Sequence, residues 1–286
     1  EEPGYPPLRN VLAAAGAKLV PVPVDGEGLK VDRLPRDAKI VSVTPSHQFP
    51  LGVHLSLARR KALLDFARTH GAVVIEDNAH GYLSRDQAGQ WLGCRTGLGL
   101  FSLRKTLRVP DGGALWLGEA FAASELPAQV PFDGVGVNPA QLTKARLRGL
   151  PLVGEQAYRL STAMARALRK WRTGSNIPAT DPASEQALPA PASPWGGLLQ
   201  ALAACAAPAE IARRRAAYAR CAEVGAQVGA VPVFAALPPH CAPYAYAFRG
   251  DTAALVGMRR HAARHGFDLV SWPDLPAEIV GQCLAH

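Results

Sequence analysis

Between residues 39 and 120 the apolar positions switch between two periods. Lys39 to Thr44 (Lys-Ile-Val-Ser-Val-Thr) reads as a strand that stops at Pro45. Ser56 to His70 reads as an amphipathic helix. Ser56 is its cap, Leu57, Leu63, Leu64, Phe66 and Ala67 form one face, and Gly71 closes it. Ala72 to Ile75 is a continuous apolar run ending in Glu76-Asp77, the pattern of a strand buried on both faces of a parallel sheet. Leu98 to Ser102 and Ala114 to Leu117 are further short strands. Upstream, residues 8–16 read as a short helix ended by Gly16, and Lys18 to Val24 as a β-rich run before the turn Asp25-Gly26. Strand and helix alternate through the first 120 residues, which predicts an α/β fold with a mostly parallel sheet and helices on both faces.

The pattern changes near residue 121. Gln141 to Trp171 is helix-rich, and Thr173 to Pro194 is a Pro-, Ser- and Ala-rich loop. Ala209 to Val228 is a long basic helix started by Pro208. Strands are expected at Val231 to Ala235, Tyr244 to Phe248 and Phe267 to Ser271, with a helix from Asp251 to His265. The expected organisation is a core at 1–120, a helical and linker region at 121–205, and a small C-terminal α+β domain at 206–286.

Composition narrows the classes. With 48% hydrophobic and 19% charged residues, the 286-residue chain can bury a core, which excludes wholesale disorder. The 27 glycines and 25 prolines show no collagen period. The net charge is +8, and its local runs are Arg213-Arg214-Arg215 and Arg259-Arg260, both in helical stretches. Solvated helix faces or phosphate-bearing small substrates account for these runs, so no nucleic-acid partner is expected of this chain. No apolar run is long enough to span a membrane. The five cysteines are scattered and form no CxxC pair. Neither a disulfide scaffold nor a zinc site is expected, and a cytoplasmic location fits a start (Glu1-Glu2-Pro3-Gly4) unlike a signal peptide. The start also lacks Met, so the chain is processed, trimmed or preceded by another segment.

Ligands of open α/β sheets bind beyond the carboxyl ends of the strands. Three strand-end clusters are therefore the candidate site: Ser46-His47-Gln48, Asp77 with His80, and Ser102 to Lys105. Asp77 follows a buried strand and can pair with a protonated ring nitrogen, or it can simply cap the next turn. Lys105 lies on a turn directly after a strand, beside Arg104 and Arg108. Cations there favour the neutral, nucleophilic amine. Ser102 offers a hydroxyl to an anion, and Gly112-Gly113 allow close backbone approach.

These strings resemble the fold-type I, aspartate-aminotransferase-like pyridoxal-phosphate enzymes. Glu-Glu-Pro-Gly-Tyr-Pro, Val-Pro-Val-Asp, Val-Thr-Pro-Ser-His-Gln-Phe-Pro-Leu-Gly and Gly-Ala-Val-Val-Ile-Glu-Asp are similar to the aminotransferase domain of MocR-type regulators. Ile-Glu-Asp-Asn-Ala-His-Gly, then Ser-Leu-Arg-Lys and Pro-Asp-Gly-Gly, resemble the DegT/DnrJ/StrS-type sugar aminotransferases. Arg214 to Tyr218, Trp272-Pro273 and Leu275-Pro276 agree more weakly.

The resemblance implies pyridoxal 5'-phosphate as cofactor. Lys105 would form the Schiff base and carry the proton. Asp77, 28 residues earlier (105 − 77), would pair with the ring nitrogen. His80 would stand near the ring oxygen and Ser102 near the phosphate, with Arg104, His47 and Gln48 on the cofactor side. It further implies a homodimer that moves an amino group, in the manner of glutamate-dependent enzymes, to a keto-sugar. The family's phosphate-binding loop and stacking aromatic would precede Glu1. The alternatives are a MocR-like effector-sensing module and a relative that keeps the fold without catalysis.

Overall fold

The computed structural model describes residues 1–264 and 269, apart from 50, 108, 120, 122–130, 175–187, 189–191 and 235. Arg108, Cys283, the Trp272-Pro273 and Leu275-Pro276 strings, most of the 173–194 loop and most of the expected strand at 267–271 lie outside the described residues.

Three short parallel strands make the frame: β3 (Ile40–Val43), β4 (Val73–Asp77) and β5 (Leu98–Ser102). β3 pairs with β4 from Ile40↔Val73 to Val43↔Glu76, and β4 pairs with β5 from Ile75↔Leu98 to Asp77↔Leu100. β6 (Gly113–Leu117) runs antiparallel along β5, giving the order β3-β4-β5-β6. Parallel neighbours need a crossover. For β3 and β4 it is α2 (Leu57–His70). Ser56 Oγ accepts from the Arg59 amide at 3.2 Å, and Gly71 takes the left-handed φ of 64° that ends the helix. Leu63 is fully buried and packs with Val22, Leu29, Val41, Val43 and Val74 in the core under the sheet.

The two-sided burial expected of β4 is not seen. Val74 and Glu76 are buried, whereas Val73, Ile75 and Asp77 are half-buried. The strand period of two therefore separates two neighbouring carboxylates. Glu76 (1% exposed) turns inward to Arg95 (4%), whose guanidinium also reaches Asp86 at 3.4 Å. Glu76 also accepts from the Gly93 amide at 2.8 Å, and Asp86 from the amides of Ala88 and Gln90. A buried charge needs a partner and hydrogen bonds on its remaining lone pairs. This loop supplies both. It passes so close to β5 that a Cβ on Gly99 would fall 1.7 Å from the Gly93 carbonyl oxygen.

Around the sheet lie α1 (Pro6–Ala14) and a small antiparallel pair, β1 (Val24–Asp25) with β2 (Gly28–Leu29). The β-rich run at 18–24 thus gives a strand only at its end. Beyond the sheet come α3 (Pro139–Arg148), α4 (Gly154–Thr173), α5 (Leu198–Ala203) and α6 (Ala207–Gln227). β7 (Val231–Pro232) pairs with β8 (Phe248–Arg249), and α7 (Thr252–Arg264) follows. The expected strand at 244–248 survives only at Phe248. Residues 240–246 instead fold irregularly onto the core, where Arg85 N–H donates to the His240 carbonyl and Ala242 N–H to Ser84 Oγ. No helix among the described residues is long and apolar enough to cross a membrane.

Replacing Arg95 by Met leaves two buried carboxylates without their cation. The expected loss is about 3–5 kcal/mol in urea unfolding. Arg68→Met, in the exposed Arg68–Asp65 pair, should stay within about 0.5 kcal/mol. Equal losses at the two positions would show that the buried network does not hold the sheet.

Candidate functional site

Lys105 ends a single 3-10 turn, Leu103–Lys105, that follows β5 directly. Leu103 and Leu107 pin the turn from beneath, packed with Val109 and Leu198. Arg214 of α6 holds it from the other side, its Nη2 donating to the Lys105 carbonyl at 3.0 Å and the Thr106 carbonyl at 3.2 Å. With the backbone held at both faces, the Lys105 side chain has a fixed origin.

Its amine lies 2.7 Å from His80 Nε2. His80 Nδ1 is 3.2 Å from the His47 carbonyl oxygen, which can only accept. The proton of the neutral ring is therefore on Nδ1, and Nε2 accepts from Lys105. Burial pushes His80 down to about 4, and the Lys105 charge adds to the effect, so the ring is neutral at pH 7. Burial likewise lowers Lys105 to about 8, with Asp77 opposing and Arg104 reinforcing. Asp77, at the end of β4, is raised by burial, against the Ala79 amide on its Oδ1 (3.1 Å) and the Lys105 charge. The lysine and the carboxylate thus act on one another, but desolvation outweighs their attraction at both ends.

Aromatic rings flank this amine. The Tyr244 ring stacks on His80 with centroids 4.5 Å apart and 10° between planes. Lys105 Nζ is 5.5 Å from the Tyr5 ring centre and 5.8 Å from that of Tyr244. Phe49 stands edge-on to Tyr5. A cleft of about 240 Å³ opens beside Lys105, with Arg214, Tyr218, Tyr244 and Tyr246 among its walls. A larger apolar cleft of about 430 Å³, bounded by Tyr82, Trp91, Phe101 and Trp116, contains neither Lys105 nor His80.

Of the residues singled out in the sequence, Lys105, Asp77 and His80 come together. His47 contributes its carbonyl to this group, while its ring turns away toward His54 and Cys241. Gln48 is not at the amine. Its buried amide donates to the Pro3 carbonyl and accepts from the Leu51 amide, tying the loop to the N-terminal segment. Ser102 is half-buried at the end of β5 and makes no capping bond to the turn. Arg104 is exposed and acts on Lys105 through its field. Tyr5, Tyr244 and Arg214 were not assigned to the site from sequence. The Arg-Arg pair at 213–214 signals only a charged helix until Arg214 is seen reaching carbonyls 109 and 108 residues away. Nor is the arginine run a solvated face throughout. Arg213 and Arg214 pair with Glu210, and Arg215 donates to the carbonyls of Pro238 and Cys241.

No family model matches the chain. Curated relatives match part of it. The chain is 44% identical over 78 residues to the HTH-type pyridoxine biosynthesis transcriptional regulator PdxR of Corynebacterium glutamicum, covering 27% of this chain and 17% of the regulator. It is 42% identical over 79 residues to the probable rhizopine catabolism regulatory protein MocR of Rhizobium meliloti (27% and 16%). It is 32% identical over 93 residues to aromatic-amino-acid aminotransferase 1 of Thermococcus litoralis (29% and 22%). Each match spans less than a quarter of the relative's length. Among solved structures, a DegT DnrJ EryC1 StrS aminotransferase from Brucella abortus superimposes with a TM-score of 0.50 at 17% identity, covering 93% of this chain and 61% of that one. The fold is that of the fold-type I pyridoxal-phosphate aminotransferases.

Acylating and reductive-alkylating reagents attack only the neutral amine. Labelling of Lys105, followed by peptide mass spectrometry, should level off as pH passes about 8. Ordinary surface lysines keep gaining reactivity toward about 10.4. A Lys105 profile that follows the surface lysines would mean that the amine is solvated.

Proposed function

We propose that the chain binds pyridoxal 5'-phosphate through Lys105 and moves an amino group from a donor such as glutamate to a keto-sugar or related carbonyl. One observation carries the reading. A lysine of lowered pKa meets a neutral imidazole at 2.7 Å, with a carboxylate in electrostatic reach, at the carboxyl ends of adjacent parallel strands.

The residues fit such a cofactor in their chemistry. The cleft is smaller than the about 300–1,000 Å³ of drug-sized sites and suits a single-ring ligand. The Tyr218 hydroxyl in its wall is buried without a hydrogen-bond partner, an orphan donor of the kind that a ligand oxygen satisfies. Lys105, in the cleft wall, would hold the aldehyde carbon, and Asp77 and Ser102, at the ends of β4 and β5 outside that wall, would face the ring nitrogen and the phosphate. When bound, pyridoxal phosphate supplies an electron sink for the carbanion formed at a substrate carbon.

The chain's own residues do the rest. A Lys105 amine near pKa 8 exists in both forms close to neutral pH, so it can take a proton at Nζ and return it. His80 Nε2 accepts one Nζ–H and aims the amine, and the His47 carbonyl fixes the His80 ring. The stacked Tyr244 keeps that ring from rotating. Ionised Asp77 would favour a protonated ring nitrogen. The Asp77-Asn78-Ala79-His80 string supports a sugar-type acceptor through its resemblance. An exposed apolar stripe on α4 (Leu160, Met164, Leu168 and Trp171) supports pairing with a second copy.

A second reading is an effector-sensing module that binds the cofactor without turnover. The identities of 44% and 42% to transcriptional regulators favour it.

Titration with pyridoxal phosphate, borohydride fixation and peptide mapping test the shared premise. Label should appear on Lys105 and vanish in Lys105→Ala, and label on another lysine would overturn the assignment. Glutamate should convert the bound cofactor to its amine form, and a keto-sugar should regenerate it. Asp77→Asn should slow that conversion by about a hundredfold or more. Cofactor bound at Lys105 without glutamate turnover would favour the sensor.

A further inference from the structure

Where the His47 ring turns away from His80, three side chains with metal-ligand chemistry converge. Cys241 Sγ lies 3.6 Å from His47 Nε2 and 4.0 Å from His54 Nε2. The three donor atoms all lie within 4.8 Å of one another. Cys241 is 194 residues from His47 and 187 from His54, so no local spacing reveals the group.

We propose that His47 Nε2, His54 Nε2 and Cys241 Sγ form a binding site for one zinc-class divalent cation, with water as the fourth ligand. The proposal departs from the expectation, drawn from cysteine spacing, of no zinc site.

Distance is the first argument. A tetrahedral zinc has bonds of about 2.3 Å to sulfur and about 2.0–2.1 Å to nitrogen, which places N and S roughly 3.6 Å apart. The His47–Cys241 pair already has that separation and the His54–Cys241 pair exceeds it by a few tenths of an ångström, while the two imidazole nitrogens, within 4.8 Å of one another, would draw together on the ion. Donor type is the second. Two imidazoles and one thiol suit zinc and copper rather than calcium or magnesium. The third is the surrounding support. His47 Nδ1 is 2.7 Å from the fully buried Ser46 Oγ, and Tyr244 N–H donates to Nε2 at 3.3 Å. Nε2 therefore carries the lone pair and Nδ1 the proton, which is the tautomer a metal bound at Nε2 requires. The metal would take the lone pair that Tyr244 N–H now shares.

The backbone is set as well. His47 adopts a left-handed φ of 53°, a strained conformation for a residue with a side chain. Arg215 donates to the Cys241 carbonyl at 3.0 Å, and Cys241 N–H donates to the Pro238 carbonyl. The His54 ring packs edge-on against Phe234. On binding, a metal–sulfur bond forms and the thiol proton passes to solvent, with no change of oxidation state. The ion would clip the 238–244 segment, which carries Tyr244, to the loop whose His47 carbonyl orients His80. The site stands whether or not Lys105 binds a cofactor.

The test uses the full chain stripped of metal and free of pyridoxal phosphate, so failure of the metal site and failure of the Lys105 reading are separable. Equilibrium dialysis against zinc, read by mass spectrometry, should give one ion per chain. Cobalt(II) should give a thiolate charge-transfer band. Cys241→Ser should abolish the band, while Cys221→Ser, at an exposed cysteine, should leave it intact. Ser46→Ala should weaken binding by about 10–100-fold. Should Cys241→Ser fail to fold, His54→Gln at the least buried ligand carries the test: zinc should raise Tm of the unaltered chain and not of the variant. No retained zinc in the unaltered chain, or an undiminished cobalt band in Cys241→Ser, would overturn the proposal.

Discussion

The buried ion pair between Glu76 and Arg95 is the constraint on which the site depends. It sits on the strand that also carries Asp77, with Asp86 as a second acceptor for Arg95. Carboxylates taken out of water must be matched by cations and amides. The 84–97 loop therefore has to fold back beneath β4 and deliver Arg95 and the Gly93 amide to that one point. In doing so it presses Gly93 against Gly99, which a residue with a side chain would not allow. It also fixes Asn78, whose amide donates to the Leu92 carbonyl at 2.8 Å. With β4 locked in this way, the next side chain along the strand, Asp77, turns to the opposite face, toward the lysine.

The lysine's environment comes from elsewhere in the chain. Lys105 reaches its position through the end of β5, but its surroundings are assembled from Tyr5, the 46–49 loop, His80, Arg214 and Tyr244. Burial governs the result. The amine is held near 8 although Asp77 works in the other direction, and His80 stays neutral because burial and the neighbouring amine's charge act in the same direction. A group shielded from water on several sides loses its charge more readily than one carboxylate can restore it. Arg214 makes this possible without entering the chemistry, because its fork is occupied by Glu210 and by the carbonyls of Pro243, Lys105 and Thr106.

Much of the sheet was legible in the chain itself. Ser56 and Gly71 mark α2 within a residue, and Leu98–Ser102 is found as expected, because caps, glycines and apolar runs act over a few neighbours. The short β-rich runs misled at 18–24 and 244–248. There pairing is confined to the ends of the runs, Pro23 with Glu2 and Val24 with Leu29 in one, Phe248 with Pro232 in the other, and β-propensity alone did not extend it. Strand ends pointed to Lys105, Asp77 and His80, since the carboxyl edge of a parallel sheet is where side chains gather. They pointed, with less weight, to Gln48 as well, whose amide braces the loop.

The amino-acid order determined the alternation of strand and helix, the turn that carries Lys105, and the carboxylate that ends β4, all from interactions between residues close in sequence. Tertiary structure alone decided that Tyr244 stacks on His80, that Arg214 grips the lysine's turn, and that Cys241 meets two histidines nearly two hundred residues away. Closing such distant loops has an entropic cost that no local pattern encodes. It is met only when the whole core packs, so the partners of a site become readable after its position does.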